Sequence, residues 1–597
     1  MQNDYRKGHG NGRSPARATL TLTTAFMAAS LATGDATAQP AEPQMAEKPN
    51  VVLIMTDDQG FSDLSCNGSV IETPNICALA ESGVMVSDYY TSPMCAPTRS
   101  MLLTGVDSHQ AGLGNMPPLM STNQLGYPGY EGSLNNRVIT VAEMLKEGGY
   151  DTYMAGKWHL GGTPQSFAHG RGFDRAFEMS GGGISHFADQ LPLNAFEGPF
   201  FYYSEDGVRL HDLPQDFYSS QYYTDRIIDY IGEAPENPFF AYLAMTAPHD
   251  PLQAPDDWID MYAGRFDQGY DTYREERLAR LKEMGLVDGS VQGVSGNAMY
   301  PPWKEMTKEE QRRSARAMEI YAAMISNVDH QIGRLVAHLR EIGEYDDTIF
   351  IYTHDNGGNP KPRSNYGGNV PKFFTQFDDS YENMGRPGSF VSYEAGWAEA
   401  GSVPFSLYKT TTGEGGLRVP LIVSGPNIAR AGERIAAGNA HVADITPTII
   451  DWAGIARPDE RHGKALVPFY GRSMAAFLRG EQERLRTPDE PIAFELNANK
   501  MLLRGHHKIR KLGGPEVRSM GGEWQLFDVQ ADPAEQVDLA GKQPEMLAEL
   551  VALFDEYAAA VGLVEKAPGF PAMFHRQTWS IREGMFSDNP MAPQQPR

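Results

Sequence analysis

Four short apolar runs constrain this chain more than any other feature: Val51-Val52-Leu53-Ile54-Met55, Phe239-Phe240-Ala241-Tyr242-Leu243-Ala244, Thr348-Ile349-Phe350-Ile351-Tyr352 and Pro420-Leu421-Ile422-Val423. Each is too short to cross a membrane, and each is continuous where a half-exposed strand would alternate. Strands of that kind are buried on both faces, which predicts parallel strands covered by helices. Helical patterns lie between them. Thr140 to Glu147 ends in Gly148-Gly149, a C-cap signal, and Ala315 to Arg340 sets Ile320, Met324, Ile332, Leu335, Val336 and Leu339 on one stripe. The fold class expected is α/β, a sandwich around a mostly parallel central sheet.

Three of the runs lead into polar residues: Asp57-Asp58, then His249, then His354-Asp355-Asn356. Open α/β sheets bind ligands beyond the carboxyl ends of their strands. Asp57, Asp58, Asp355 and Asn356 are hard oxygen donors, better suited to Ca²⁺ or Mg²⁺ than to zinc. Acids that merely end strands explain one such pair. Two pairs on separate strands favour a metal.

Residues 95–105 read Cys-Ala-Pro-Thr-Arg-Ser-Met-Leu-Leu-Thr-Gly. The spacing predicts a turn opening a helix, with Cys95 at its positive end and Arg99 one turn on, a place that favours an anion. A buried structural cysteine is the competing reading. A thiolate is also too soft for calcium or magnesium. Either Cys95 avoids the metal or its side chain is converted to one bearing oxygen. Lys157 and His159 lie two apart on a segment read as extended; Lys409 and Arg418 precede the fourth run. Singly such residues are solvated or structural, but with Arg99 and a metal they form a clamp for a tetrahedral oxyanion.

The formal net charge of −25 over 597 residues argues against a nucleic-acid binder or a partner of anionic membranes. Residues 1–38 read as a secretory signal, with Arg6, Lys7, Arg13 and Arg17 before an apolar stretch and cleavage after Ala38. No later stretch is apolar for the length of a membrane span, so the mature chain is expected to be periplasmic or secreted. Residues 39–47 are a linker. Cys66 and Cys77 either pair or remain two buried thiols; both explain them equally well. Residues 357–400, rich in Gly, Asn, Tyr and Pro, either cover a substrate or pack elsewhere as an insertion. The main α/β domain is expected over 48–484. Short strands at Ile492–Glu495, Lys500–Leu503, Lys508–Leu512 and Trp524–Val529, then a helix over Pro544–Ala560, predict a smaller antiparallel α+β domain and a tail over 485–597.

The run Cys95-Ala96-Pro97-Thr98-Arg99, continuing to Leu103-Thr104-Gly105, resembles the signature of type I sulfatases, and Gly149 to His159 is similar to their second signature. The similarity spans about residues 48–562, including Ala247-Pro248-His249, Asp355-Asn356-Gly357, Leu526-Phe527-Asp528 and Asp532-Pro533. Within the alkaline-phosphatase-like superfamily the pattern is most similar to bacterial arylsulfatases.

That resemblance implies hydrolysis of sulfate esters. Cys95 would be oxidised by a maturation enzyme to Cα-formylglycine, whose hydrate attacks sulfur and forms a covalent sulfo-enzyme. It implies calcium held by Asp57, Asp58, Asp355, Asn356 and the modified Cys95. Arg99 would steady the hydrate, and Lys157, His249 and Lys409 would bind sulfate. Asp355 would assist deprotonation, His249 or Lys409 would protonate the leaving oxygen, and His159 would take the proton that releases sulfate. Two positions depart from the family: His354, which receives no role, and Asp250, acidic where related arylsulfatases can carry an aromatic. A phosphonate or phosphodiester hydrolase on the same fold, and an unmodified protein that binds a sulfated ligand, are the rival readings.

Overall fold

The computed structural model describes residues 48–567 apart from 196–201, 295, 298, 368, 369, 371, 515, 516, 518 and 519. The expected leader and linker lie outside the described residues. Among those described, no helix is long and apolar enough to cross a membrane.

The central sheet contains β1 (Asn50–Thr56), β2 (Val84–Tyr90), β3 (Asp151–Lys157), β4 (Arg175–Met179), β5 (Tyr203–Glu205) and β6 (Val208–Arg209). It continues with β7 (Phe239–Ala244), β8 (Thr348–His354), β9 (Arg418–Ser424), β10 (Arg434–Ile435) and β11 (Ala440–His441). The order is β10-β2-β9-β8-β1-β7-β3-β4-β5-β6, with β11 also on β2. Strands β8, β1, β7 and β3 run parallel, Val52 facing Ala241 on one flank and Phe350 on the other. This is the expected α/β sheet with one correction. The fourth apolar run, β9, is antiparallel to both β8 and β2. Its apolar residues are continuous because both faces are covered, and burial carries no information about direction.

The reversal of β9 organises everything above the sheet. Because β9 opposes both neighbours, β2 runs the same way as β1. The carboxyl ends of β2, β8, β1, β7 and β3 therefore share one rim with the starting end of β9. Side chains alternate across the sheet. Val51, Leu53 and Met55 enter one core with Leu102, Leu145 and Trp158; Val52 and Ile54 enter the other with Ile320, Met324 and Leu335. Burying each such side chain is worth about 1.5–3 kcal/mol. Strands β3 and β7 approach so closely at Gly156, whose φ is 118°, that a Cβ there would sit 1.8 Å from the Ala244 carbonyl oxygen.

Both expected helices form. Val141–Glu147 begins with a capping box between Thr140 and Glu143, and Lys308–Glu341 with one between Thr307 and Glu310. After a short ribbon of β12 (Glu460–Arg461) and β13 (Lys464–Ala465), a four-stranded antiparallel sheet follows. Its strands are β14 (Pro491–Leu496), β15 (Asn499–Arg504), β16 (His507–Leu512) and β17 (Gln525–Asp528). Helix Pro544–Val561 buries Leu550 and Phe554 against Leu502, Ile509 and Leu526. Cys66 and Cys77 are joined as a disulfide, their Cα atoms 5.7 Å apart, so of the two readings left open the pairing holds.

Candidate active site

Each expected site residue reaches the rim by a short path from a strand end. Asp57 and Asp58 follow β1, Asp355 and Asn356 follow β8, and Lys157 closes β3. His249 lies five residues beyond β7. Cys95 lies five residues beyond β2 and opens helix Cys95–Thr104, as the spacing predicts; Gly105, with φ 68°, ends that helix. Lys409 precedes β9, so the antiparallel strand delivers it to the same rim.

The thiol of Cys95 lies 3.4 Å from Asp57 Oδ1, 3.9 Å from Asp58 Oδ1 and 3.4 Å from Lys409 Nζ. Lys409 Nζ donates to Asp58 Oδ1 at 2.5 Å, and Lys157 pairs with Asp57. His249 Nε2 is 3.3 Å from Asp58 Oδ2. One ligand atom each from Asp57, Asp58, Cys95 and His249 falls within a group whose members are all within 4.8 Å of one another. Asn356 donates its amide to Asp58 Oδ1 at 2.7 Å, while its own Oδ1 is buried without a hydrogen-bond partner. Asp355 stands beside the group. Its Oδ1 accepts the Asp58 N–H at 3.2 Å and its Oδ2 accepts Arg99 Nε and Nη2 at 3.1 and 2.9 Å.

A buried acceptor left unpaired amid three carboxylates fits a hard cation, which takes oxygen donors. The arrangement therefore suits a divalent metal at Asp57, Asp58 and Asn356, with Asp355 adjoining. In this structure Arg99 is fully buried and holds Asp355, with Nη1 donating to the Lys157 carbonyl at 3.0 Å and to the Tyr242 hydroxyl at 3.3 Å.

Burial pushes the Cys95 thiol well above its ordinary value, and the charges of Asp355 and Asp57 add to this against Lys157 and Lys409. As a thiol, position 95 is a poor nucleophile. Burial would also neutralise Lys409, but the negative charges of Asp58, Cys95, Asp57 and Asp355 together outweigh it and raise the ammonium. Burial, then the charges of Lys157 and Lys409, push His249 well below its ordinary range. Its Nδ1 lies 2.7 Å from the Asp250 carbonyl, which fixes the tautomer and turns Nε2 toward the site. His159 is likewise pushed down by burial and by Lys157, Arg99 and Lys409. It does not share an extended face with Lys157: β3 ends at Lys157, and His159 has φ 57°. The left-handed turn brings the ring against Gly182, where a Cβ would stand 3.2 Å from Cε1.

Other neighbours escaped the sequence reading. His354 bonds the Gln59 carbonyl through Nδ1 at 3.0 Å and Tyr352 through Nε2 at 3.1 Å, and burial holds it down at about 3. It braces the loop carrying Asp57 and Asp58. His186 Nε2 is 3.0 Å from the His249 carbonyl. Asn359 and Tyr366 bond Asp250, so residues 357–400, whose reading was left open, pack beside the site at their start. Tyr242, His186, Asn359 and Tyr366 carry no signal of spacing or composition. Only the fold brings them in.

The family model described as Sulfatase matches residues 49–455. An arylsulfatase of Klebsiella aerogenes is 45% identical over 432 residues, which cover 72% of this chain and 92% of that one. An N-acetylglucosamine-6-O-sulfatase of Bacteroides thetaiotaomicron is 26% identical, covering 84% and 85%. The crystal structure of Ps i-CgsB in complex with k-i-k-neocarrahexaose superposes with a TM-score of 0.62 at 24% identity, covering 91% of this chain and 98% of that one, and shows a shared fold. A family model across the whole rim, and a relative nearly half identical along almost its full length, make this chain a member of the sulfatase family and a sulfuric ester hydrolase.

Proposed function

We propose that this hydrolase acts on aryl-type sulfate esters through an oxidised Cys95 and a calcium ion held by Asp57, Asp58, Asp355, Asn356 and position 95. The observation that carries the reading is the convergence on Cys95 of two carboxylates and the Lys409 ammonium, within 3.4–3.9 Å of a sulfur too soft and too weakly acidic for that company. When bound, the metal would supply positive charge to the sulfate group, and the aldehyde hydrate at position 95 would supply an oxygen nucleophile.

The chain's own residues do the rest. Lys157, His249 and Lys409 bind sulfate oxygens. Arg99 fixes Asp355, and Asp355 accepts the proton of the attacking hydroxyl. Lys409 is the better proton donor to the leaving oxygen, since its ammonium is held charged while His249 is held neutral. His159, also neutral, accepts the later proton.

The Cys66–Cys77 disulfide accords with export through the leader over 1–38, into the periplasm or medium. Residues 48–484 would form the catalytic domain and 485–597 a smaller domain and a tail. A maturation enzyme that oxidises Cys95 is the partner implied.

Mass spectrometry of the peptide containing residue 95, with parallel turnover of 4-nitrophenyl sulfate and a nitrophenyl phosphodiester, tests the reading. Loss of the thiol for an aldehyde, with sulfate the preferred substrate, is expected. An intact thiol in fully active protein, or preference for the phosphodiester, would overturn it.

A further inference from the structure

One buried acidic side chain, next in sequence to His249, has no part in the steps above. Asp250 is 1% exposed, and its Oδ2 accepts the Asn359 amide at 3.0 Å and the Tyr366 hydroxyl at 2.8 Å. Asn359 also donates to Tyr366 at 2.8 Å, so two side chains bonded to each other lock the carboxyl in one orientation. Its Oδ1 is buried with no hydrogen-bond partner. The backbone ties it to the site on two sides. Its carbonyl holds His249 Nδ1 at 2.7 Å, and Gly358, next to Asn359, accepts the Lys409 N–H at 3.0 Å.

A buried acceptor without a partner is costly, and native structures rarely keep one that nothing completes. The sulfate group does not complete it, because the cations Lys157 and Lys409 stand where sulfate would be gathered. A cationic group is disfavoured too, since burial, with the charge of Asp58 beside it, holds the Asp250 carboxyl well above the usual carboxylate range despite Lys409 and Lys361. A neutral hydroxyl on the departing group meets both conditions.

Resting on the sulfatase reading, we infer that Asp250 is a specificity-determining residue whose Oδ1 forms a hydrogen bond with a hydroxyl on the alcohol or phenol being released, favouring hydroxylated leaving groups over bare aryl ones.

4-Nitrocatechol sulfate carries one hydroxyl more than 4-nitrophenyl sulfate, and the ratio of their kcat/KM values reads the contact. Asp250→Ala should lower that ratio by about ten- to a hundredfold relative to the parent, almost wholly through the hydroxylated substrate. Asp250→Asn, which keeps the size and one acceptor oxygen, should lower it only severalfold, and it decides the matter if a thermal melt shows the alanine variant unfolded. A ratio within twofold of the parent in a folded variant, or equal losses on both substrates, would overturn the inference. If the mature parent turned over neither sulfate, the sulfatase reading would fall and the inference with it.

Discussion

Lys409 Nζ lies 2.5 Å from Asp58 Oδ1, although 351 residues separate the two in sequence. The contact puts a cation whose charge is secured beside position 95, where negative charge would develop in the sulfate transfer proposed above. Removing one such preorganised donor costs about a hundred- to a thousandfold in rate. Lys409→Ala should therefore lower kcat on 4-nitrophenyl sulfate by that factor. Lys409→Arg should restore little, because a planar guanidinium cannot stand in for a point charge there. Steady-state kinetics on the two variants checks this.

The loop bearing Lys409 is gripped from the C-terminal sheet. Lys508, fully buried on β16, pairs with Glu414 at 2.7 Å and Glu535 at 3.1 Å. Glu535 in turn accepts Ser406 Oγ at 3.2 Å and the Glu414 N–H at 2.8 Å. Lys508→Met would leave two buried carboxylates undercompensated, a loss of about 3–5 kcal/mol. A denaturant titration should show that loss, and the folded fraction should show a lower kcat through displacement of Lys409.

His109 bridges Asp107 at 2.9 Å and Glu495 on β14 at 3.0 Å. Burial alone would push its pKa down, but hydrogen bonds and charge from both carboxylates prevail and raise it from 6.5 to about 10. A raised pKa in the folded state contributes stability that is complete below pH 6.5 and is lost as pH climbs through about 10. Denaturation midpoints between pH 6 and pH 10 should fall accordingly, and His109→Gln should flatten the slope.

Stripping the proposed calcium would leave the Asn356 oxygen unpaired, with Asp57, Asp58 and Asp355 held only by Lys157, Lys409 and Arg99. Dialysis against a chelator should lower the melting temperature as well as abolish turnover, and calcium should restore both. Asn356→Leu should remove most of the calcium-induced rise in melting temperature. A melting temperature indifferent to the chelator would count against a metal here.

The sequence disclosed strands and chemistry better than it disclosed direction and support. The runs at Val51, Phe239 and Thr348 announce their strands and the acids that follow, because burial and strand-end placement leave a local pattern. The direction of β9 is set by its partners across the sheet, so nothing within Pro420–Val423 encodes it, although Lys409 reaches the rim only because β9 runs backwards. The turn at His159 hides in the same way, since φ 57° at a histidine is imposed by its surroundings. The clamp of Asn359 and Tyr366 on Asp250 joins residues more than a hundred apart within a segment of no periodicity.

Cys95 is 2% exposed, at the base of a helix whose every residue is buried. No other protein's catalytic groups can close around it once the chain has folded. Any enzyme that rewrites this side chain must work on the nascent polypeptide, ahead of collapse. Folding speed would then set the yield of competent molecules, and a copy that folds first is locked in the unmodified state for its lifetime.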